Sequence, residues 1–357
     1  MSQSALFAPF PVRDLEIRNR LWVSPMCQYQ ALGRDGVATA WHQAHLGALA
    51  RGGAGLVMIE ATGVVPEGRI SPFCLGLWND DQRDALAPIV AFARSMGATV
   101  GIQLGHAGRK ASTHPWMPDA PAGSVDLAEG GWETVAPSAL AFGDYRAPRA
   151  LSVAEIEALV AAFVASAGRA VTAGIQVIEL HAAHGYLLHE FLSPLSNRRS
   201  DGYGGDLAGR ARLLREVARA VRAAHPSTAL FVRVSASEWR TDGFTPEEAR
   251  EVAGWLAEDG VDLVDVSSGG NVPDAPIVVG PGYQVPFART VREAGLPVAA
   301  VGMITSAAQA ETLLRASLAD AIFVGRPMLN DPHLPLRWAR ELREEPAAPA
   351  SYWRAGF

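Results

Sequence analysis

The chain has 357 residues, 49% hydrophobic and 19% charged, a globular composition that excludes a disordered chain and leaves room for one large core. A net charge of −6 argues against a nucleic-acid binder. Two cysteines, Cys27 and Cys74, are too few for a disulfide framework or a cysteine-ligated cluster. No apolar stretch is long enough to span a bilayer, and no basic segment leads an apolar run at the N-terminus. A cytoplasmic location with no membrane partner is expected. Lys110 is the only lysine. Schiff-base chemistry needs a lysine amine and would hang on this residue alone.

In chain order, Val12 to Leu21 reads as a short leading hairpin. Leu21 to Ser24 is a first strand, ended by Pro25, with Met26 to Tyr29 as a loop. Thr39 to Arg51 has helical spacing and stops at Gly52-Gly53. Gly55 to Glu60 is a second strand, Asp80 to Met96 a helix, and Thr99 to Leu104 a third strand. The stretch from residue 105 to 150 is rich in Pro, Gly, Ser and Trp. It is too long for an ordinary connection and reads as an inserted lid. Ser152 and Glu155 form a capping box that opens a helix to about Thr172. Ile175 to Leu180 is a fourth strand. Leu207 to His225 (helix), Ala229 to Ser235 (strand), Thr245 to Asp259 (helix) and Asp262 to Ser267 (strand) follow. Gln284 to Ala294 (helix), Val298 to Val301 (strand), Ser306 to Ala316 (helix) and Asp320 to Val324 (strand) complete the alternation. A last helical segment runs from Leu334 to Leu342. Eight strands alternating with helices predict an α/β fold, a (β/α)8 barrel over residues 1–357 as one domain. No Gly-x-Gly-x-x-Gly follows a strand, so an open dinucleotide-binding sheet fits less well.

In such a barrel the loops after the strands form one face, and chemistry gathers there. That face collects Cys27, Tyr29, Ala61, Gln103, His106, His181, His184, Tyr186, Arg233, Ser267 to Gly270, Gly302, Gly325 and Arg326. Glycine turns after strands seven and eight, with the forked cation of Arg326, suit a phosphate. A phosphorylated cofactor or substrate is the expectation.

His181 and His184 admit three readings. As metal ligands they lack a third partner, and His42 and His45 repeat the spacing on a helix. As structural histidines they would be satisfied within the core. As paired neutral donors they could grip a carbonyl oxygen and stabilise a developing enolate. Tyr186 is then a proton donor, or else a half-buried tyrosine with a satisfied hydroxyl. Cys27 reads equally as a small buried hydrophobe. Arg233, inside Phe231-Val232-Arg233-Val234, needs a buried partner.

Several of these stretches occur together in a known family. Pro25-Met26-Cys27-Gln28-Tyr29, Glu60-Ala61-Thr62, His106-Ala107-Gly108-Arg109-Lys110, His181-Ala182-Ala183-His184-Gly185-Tyr186, Ser196-Asn197-Arg198-Arg199, Phe231 to Ser235 and Gly325-Arg326 resemble the Old Yellow Enzyme family over nearly the whole chain. Cys27, Tyr29 and the arginine-containing tail are similar to its thermophilic-like branch of xenobiotic and chromate reductases. The resemblance implies FMN held noncovalently, with NADPH or NADH as reductant and enones, nitroalkenes or quinones as acceptors. It implies that Ser24, Pro25, Met26, Cys27, Ala61 and Gln103 contact the flavin ring, and that Arg233 sits near its N1. Gly302, Gly325 and Arg326 would hold the phosphate. His181 and His184 would bind the acceptor's oxygen, Tyr186 would protonate its α-carbon, and Tyr29 would touch it. Cys27 would tune the flavin's potential. The 343–357 tail would lie at the interface of a homodimer or dimer of dimers, with Arg354 shared across it. Gly209 stands where the family has asparagine, and Asp206 reads as a changed N-cap. Two rival readings are a metal-dependent barrel hydrolase or isomerase using His181 and His184, and a non-catalytic FMN-binding barrel.

Overall fold

β1 (Phe10–Val12) and β2 (Leu15–Ile17) form an antiparallel hairpin. β3 (Leu21–Val23), β4 (Leu56–Gly63) and β5 (Thr99–Gly105) follow, and β6 (Val135–Ala136) pairs β7 (Arg149–Ala150) within the insertion. β8 (Val177–Ala182), β9 (Ala229–Ser235), β10 (Leu263–Ser267), β11 (Val298–Ala300) and β12 (Ala321–Val324) complete the set. In this computed structural model, which describes residues 4–355 and only the backbone of Trp353, eight parallel strands close into a barrel in the order β3-β4-β5-β8-β9-β10-β11-β12. The helices are α1 (Ala40–Arg51), α2 (Asp80–Ser95), α3 (Val153–Thr172), α4 (Leu187–Leu192), α5 (Leu207–Ala224), α6 (Pro246–Glu258), α7 (Val285–Arg292), α8 (Ala307–Arg315), α9 (Arg326–Asn330) and α10 (Leu334–Glu341). The expected (β/α)8 architecture is the observed one.

Strand alternation decides what the barrel encloses. Successive side chains point to opposite faces, so every second residue looks inward. On β9, Leu230, Val232 and Val234 pack outward in the large core against the helices, while Ala229 and Phe231 look in. On β3, Leu21 and Val23 pack outward, and Trp22 looks in. Trp22, Phe231 and Phe323 fill the lower barrel, with ring centroids 5.3–5.9 Å apart from Trp22. Phe10 of the leading hairpin meets Trp22 edge-on at 5.2 Å and plugs the bottom. One step further up, the same inward register falls on Ser24, Glu60, Gln103, Glu179, Arg233 and Asp265. The floor is therefore apolar and the upper layer polar, as a consequence of period two alone.

Helix starts follow local chemistry. The Ser152–Glu155 capping box is present, and Asp206 accepts from the Gly209 amide at 2.8 Å to start α5. A Cβ at position 209 would lie 2.1 Å from the Gly204 carbonyl oxygen. Glycine there is a steric requirement of this Asp206-capped start. Several boundaries differ from expectation: the leading hairpin spans Phe10–Ile17 and not Val12 to Leu21, and β4 continues to Gly63. β8 runs two residues later than Ile175 to Leu180, so His181 lies on the strand and not after it. Ala61 lies inside β4, at a register shift between Ile59 and Thr62. The short α4 and α9 have no sequence signal long enough to separate them from loops.

Candidate active site

The turn after β8 organises the site. His181 faces inward from β8, next to Arg233 in register. His184 and Gly185 are both left-handed, at φ 59° and 72°, which reverses the chain sharply before Tyr186. A non-glycine residue at positive φ carries strain and persists only where neighbours over-determine it. Those neighbours are present. The His184 amide donates to Ser235 Oγ at 2.9 Å, Gly185 to His189 Nδ1 at 2.8 Å, and Leu187 to the His106 carbonyl at 2.9 Å. The His181 ring stands perpendicular to His184 at 5.3 Å and meets Tyr186 at 4.9 Å.

Burial, and then the nearby Arg233 guanidinium, holds both His181 and His184 well below the usual imidazole range. Both rings are neutral at physiological pH. His184 Nε2 lies 2.7 Å from Ser267 Oγ. Gln284 Oε1 lies 2.7 Å from Ser268 Oγ and 3.2 Å from Ser267 Oγ. It has two lone pairs and can accept from both serines, so the Ser267 hydroxyl links His184 to Gln284 and fixes the ring's orientation. Burial pushes the Tyr186 phenol well above its ordinary value, so it keeps its proton. Among the described residues the Tyr186 hydroxyl has no hydrogen-bond partner.

The polar layer beneath is an ionic cluster. Arg233 pairs with Asp265 at 3.2 Å without hydrogen-bond alignment, and donates to Ser24 Oγ at 3.2 Å. Burial raises Asp265 to about 6 despite Arg233. Burial, with the charge of Asp265, raises Glu179 to about 8, while Gln103 donates to it at 2.8 Å. Glu179 and Asp265 escaped the sequence reading. The signal that finds them is their inward register beside Arg233.

The two cysteines meet. A hydrogen bond with Cys74, together with burial, pushes the Cys27 thiol well up, so it stays protonated. The adjoining loop is held by Glu60, which accepts from the Gln28 amide at 2.9 Å and pairs with His42 at 3.4 Å. His42 thus clamps this loop. Among the described residues no three His, Cys, Asp or Glu side chains group to hold a metal ion.

Two cavities open upward. One, of about 570 Å³, is lined by Arg233, Ser267, Gln284, Gly302, Gly325 and Arg326. Gly302 has φ 114°, and a Cβ there would strike Gln284 at 2.7 Å. A Cβ on Gly325 would instead make ordinary contact with Met26 at 3.4 Å and Ser24 at 3.8 Å. Among the described residues Arg326 has no hydrogen-bond or ion-pair partner. The other, of about 600 Å³, has Tyr29, Lys110, Trp116, Phe142, Tyr186 and Ile277 in its wall. Ala61, His181 and Tyr186 line a small pocket of their own, and Pro25 is half-buried nearby in sequence. In the insertion, Trp132 packs on Arg69, whereas Trp116 is 95% exposed. Arg354 is not brought to this site. It is exposed in a 3-10 turn over Ala350–Ala355, whose Tyr352 packs on Arg51 at the end of α1. The Trp353 ring and Phe357, which the tail expectation invoked, lie outside the described residues.

Residues 5–345 match the family described as NADH:flavin oxidoreductase / NADH oxidase. The chain belongs to that family. It is 46% identical to the NADPH dehydrogenase of Geobacillus thermodenitrificans over 98% of both chains. It is 45% identical to the NADPH dehydrogenase of Listeria monocytogenes over 99% of both. Morphinone reductase superposes with a TM-score of 0.80 at 27% identity, over 95% of this chain and 90% of that one. A 2-naphthoyl-CoA reductase shares the fold, with a TM-score of 0.85 at 23% identity over 94% of this chain and 52% of that longer one. The Old Yellow Enzyme resemblance is thereby established, and the protein is an FMN-dependent NAD(P)H oxidoreductase. The residues fit this family's cofactor. The 570 Å³ cavity is lined by two cations, Arg233 and Arg326, and by the glycines Gly302 and Gly325. Among the described residues no helix is long and apolar enough to cross a membrane.

Proposed function

We propose that the chain is an NAD(P)H:enoate oxidoreductase that reduces activated C=C bonds of α,β-unsaturated carbonyl and nitro compounds by a ping-pong scheme in the cytoplasm. One observation carries this reading: at the end of β8 two neutral histidine rings and a protonated tyrosine, whose hydroxyl has no partner among the described residues, converge, with the His184 and Tyr186 rings 5.3 and 4.9 Å from that of His181. Bound FMN supplies hydride transfer, from a nicotinamide and then to the β-carbon of the acceptor. Ser24, Pro25, Met26, Cys27, Ala61 and Gln103 would border its ring, Arg233 would supply a cation to the ring, and Gly302, Gly325 and Arg326 would hold its phosphate. His181 and His184 donate to the acceptor's oxygen and favour the enolate over the ground-state carbonyl. Tyr186 gives its proton to the α-carbon. Tyr29 narrows the pocket, and the 105–150 insertion sheds water from it.

The purified protein is expected to be yellow and to release FMN on heating. NADPH should bleach it and 2-cyclohexenone should restore the colour. Recovery of FAD, or a reduced enzyme that no enone reoxidises, overturns the reading.

Subunit arrangement belongs to the same proposal. Residues 1–357 act as one barrel, and the 343–357 tail reaches a second copy in a homodimer or dimer of dimers, where Arg354 completes the neighbour's pocket. Deletion of residues 351–357 should raise KM for enones and lower the mass in solution, with FMN content intact. Unchanged kinetics and mass would make the tail a loose end.

A further inference from the structure

Lys110 has no part in the reading above, yet it occupies a singular position. It is the chain's only lysine and ends the short turn Gly108–Lys110 after β5. Its Nζ donates to the His184 carbonyl and to the Gly270 carbonyl, both at 2.8 Å. These two carbonyls belong to turns in direct backbone contact. A Cβ on Gly185 would lie 2.3 Å from the Gly270 oxygen, and one on Gly270 would lie 2.7 Å from His184 Cα. The two glycines allow the turns to interlock, and the ammonium ties them together where their oxygens converge. The same Nζ lies 5.1 Å from the centre of the Tyr186 ring, over its face, and 4.5 Å from that of Phe142.

This arrangement has two physical effects. First, the His184 carbonyl belongs to the left-handed residue of the turn, so the lysine holds the strained backbone from which both the His184 ring and Tyr186 are presented. Second, a cation over a phenol ring favours the phenolate far more than the phenol, because full charge replaces a quadrupole. Tyr186 becomes that phenolate when it gives up its proton. Burial draws the amine down to about 8, with Glu190 acting to raise it and Arg109 to lower it.

We infer that Lys110 is a positioning residue for proton transfer: it fixes the turn that presents His184 and Tyr186, and its ammonium stabilises the phenolate that Tyr186 leaves behind. The inference rests on Tyr186 being the proton donor.

The test compares wild-type, Lys110→Met, Lys110→Arg and Tyr186→Phe holoenzymes, reduced and then mixed in a stopped-flow instrument with 2-cyclohexenone or a benzoquinone. Lys110→Met is expected to slow reoxidation by the enone at least tenfold and by the quinone severalfold less, since a quinone needs no carbon protonation and loses only the positioning of His184. Lys110→Arg, which keeps a cation, is expected to recover most of the enone rate. Equal losses with both acceptors, or enone kinetics within twofold of wild type, overturn the inference. Tyr186→Phe separates the two failures: if it loses enone activity while Lys110→Met does not, the lysine role alone falls, and if it keeps enone activity, the donor assignment falls and the lysine role with it. Should Lys110→Met not retain FMN, acetylation of the folded holoenzyme, with the modified amine located by mass spectrometry, makes the same comparison.

Discussion

Tyr186→Phe is expected to slow enone reduction by about 10²-fold or more, the ordinary contribution of a positioned general acid. That factor is about 2.7 kcal/mol of barrier. The substitution keeps the ring that packs on His181 and deletes only the hydroxyl. Because that hydroxyl has no hydrogen-bond partner among the described residues, its removal orphans no protein group. Stability should therefore change little, and a lost rate reports chemistry. Reoxidation by a quinone should stay near wild type. An equal loss with both acceptors would make Tyr186 a structural residue.

His181→Ala carries the second large effect. Two neutral donors aimed at one developing oxyanion are worth about 3 kcal/mol each, by comparison with oxyanion-hole donors. Enone reduction should fall by about 10²-fold, and phenols should bind more weakly. FMN should remain, because the cavity that suits it is lined by other side chains. The neutrality of the pair adds a pH signature. Burial and Arg233 hold both rings well below the ordinary imidazole value near 6.5, so phenol binding should persist without loss as pH falls through that value. A binding curve that breaks at 6.5 would show an exposed, ordinary histidine. Unchanged oxidative half-reaction rates in His181→Ala would remove the pair from the mechanism.

The barrel was legible because each strand is a short apolar run bounded by glycine, proline or a cap, and those signals are local. The Ser152–Glu155 box and the Asp206 cap lie within four residues of what they fix. Glycines 302 and 325 and the histidine pair were legible for the same reason. What could not be read depends on contacts across the sheet. Asp265 meets Arg233 only through strand register, and Cys74 meets Cys27 across 46 residues of intervening chain. The partner that Arg233 required was foreseeable as a necessity and not as an identity. His181 was assigned to the loop because a histidine ends an apolar run by eye, whereas hydrogen bonding carries β8 one residue past it. Arg354 depended on a second chain from the outset, and no property of one chain places it.

Use of arginine for every basic residue but one has a practical consequence. Apart from the chain's terminus, the folded protein offers amine-directed reagents a single ε-amine, and it stands in the wall of the cavity that Tyr186 lines. Crosslinkers, dyes or activated resins that target amines will leave the outer surface untouched. They will couple through the terminus or else block the cavity. Immobilisation of this enzyme should therefore use carboxylate chemistry or an added tag, while amine acylation becomes a titration of one position.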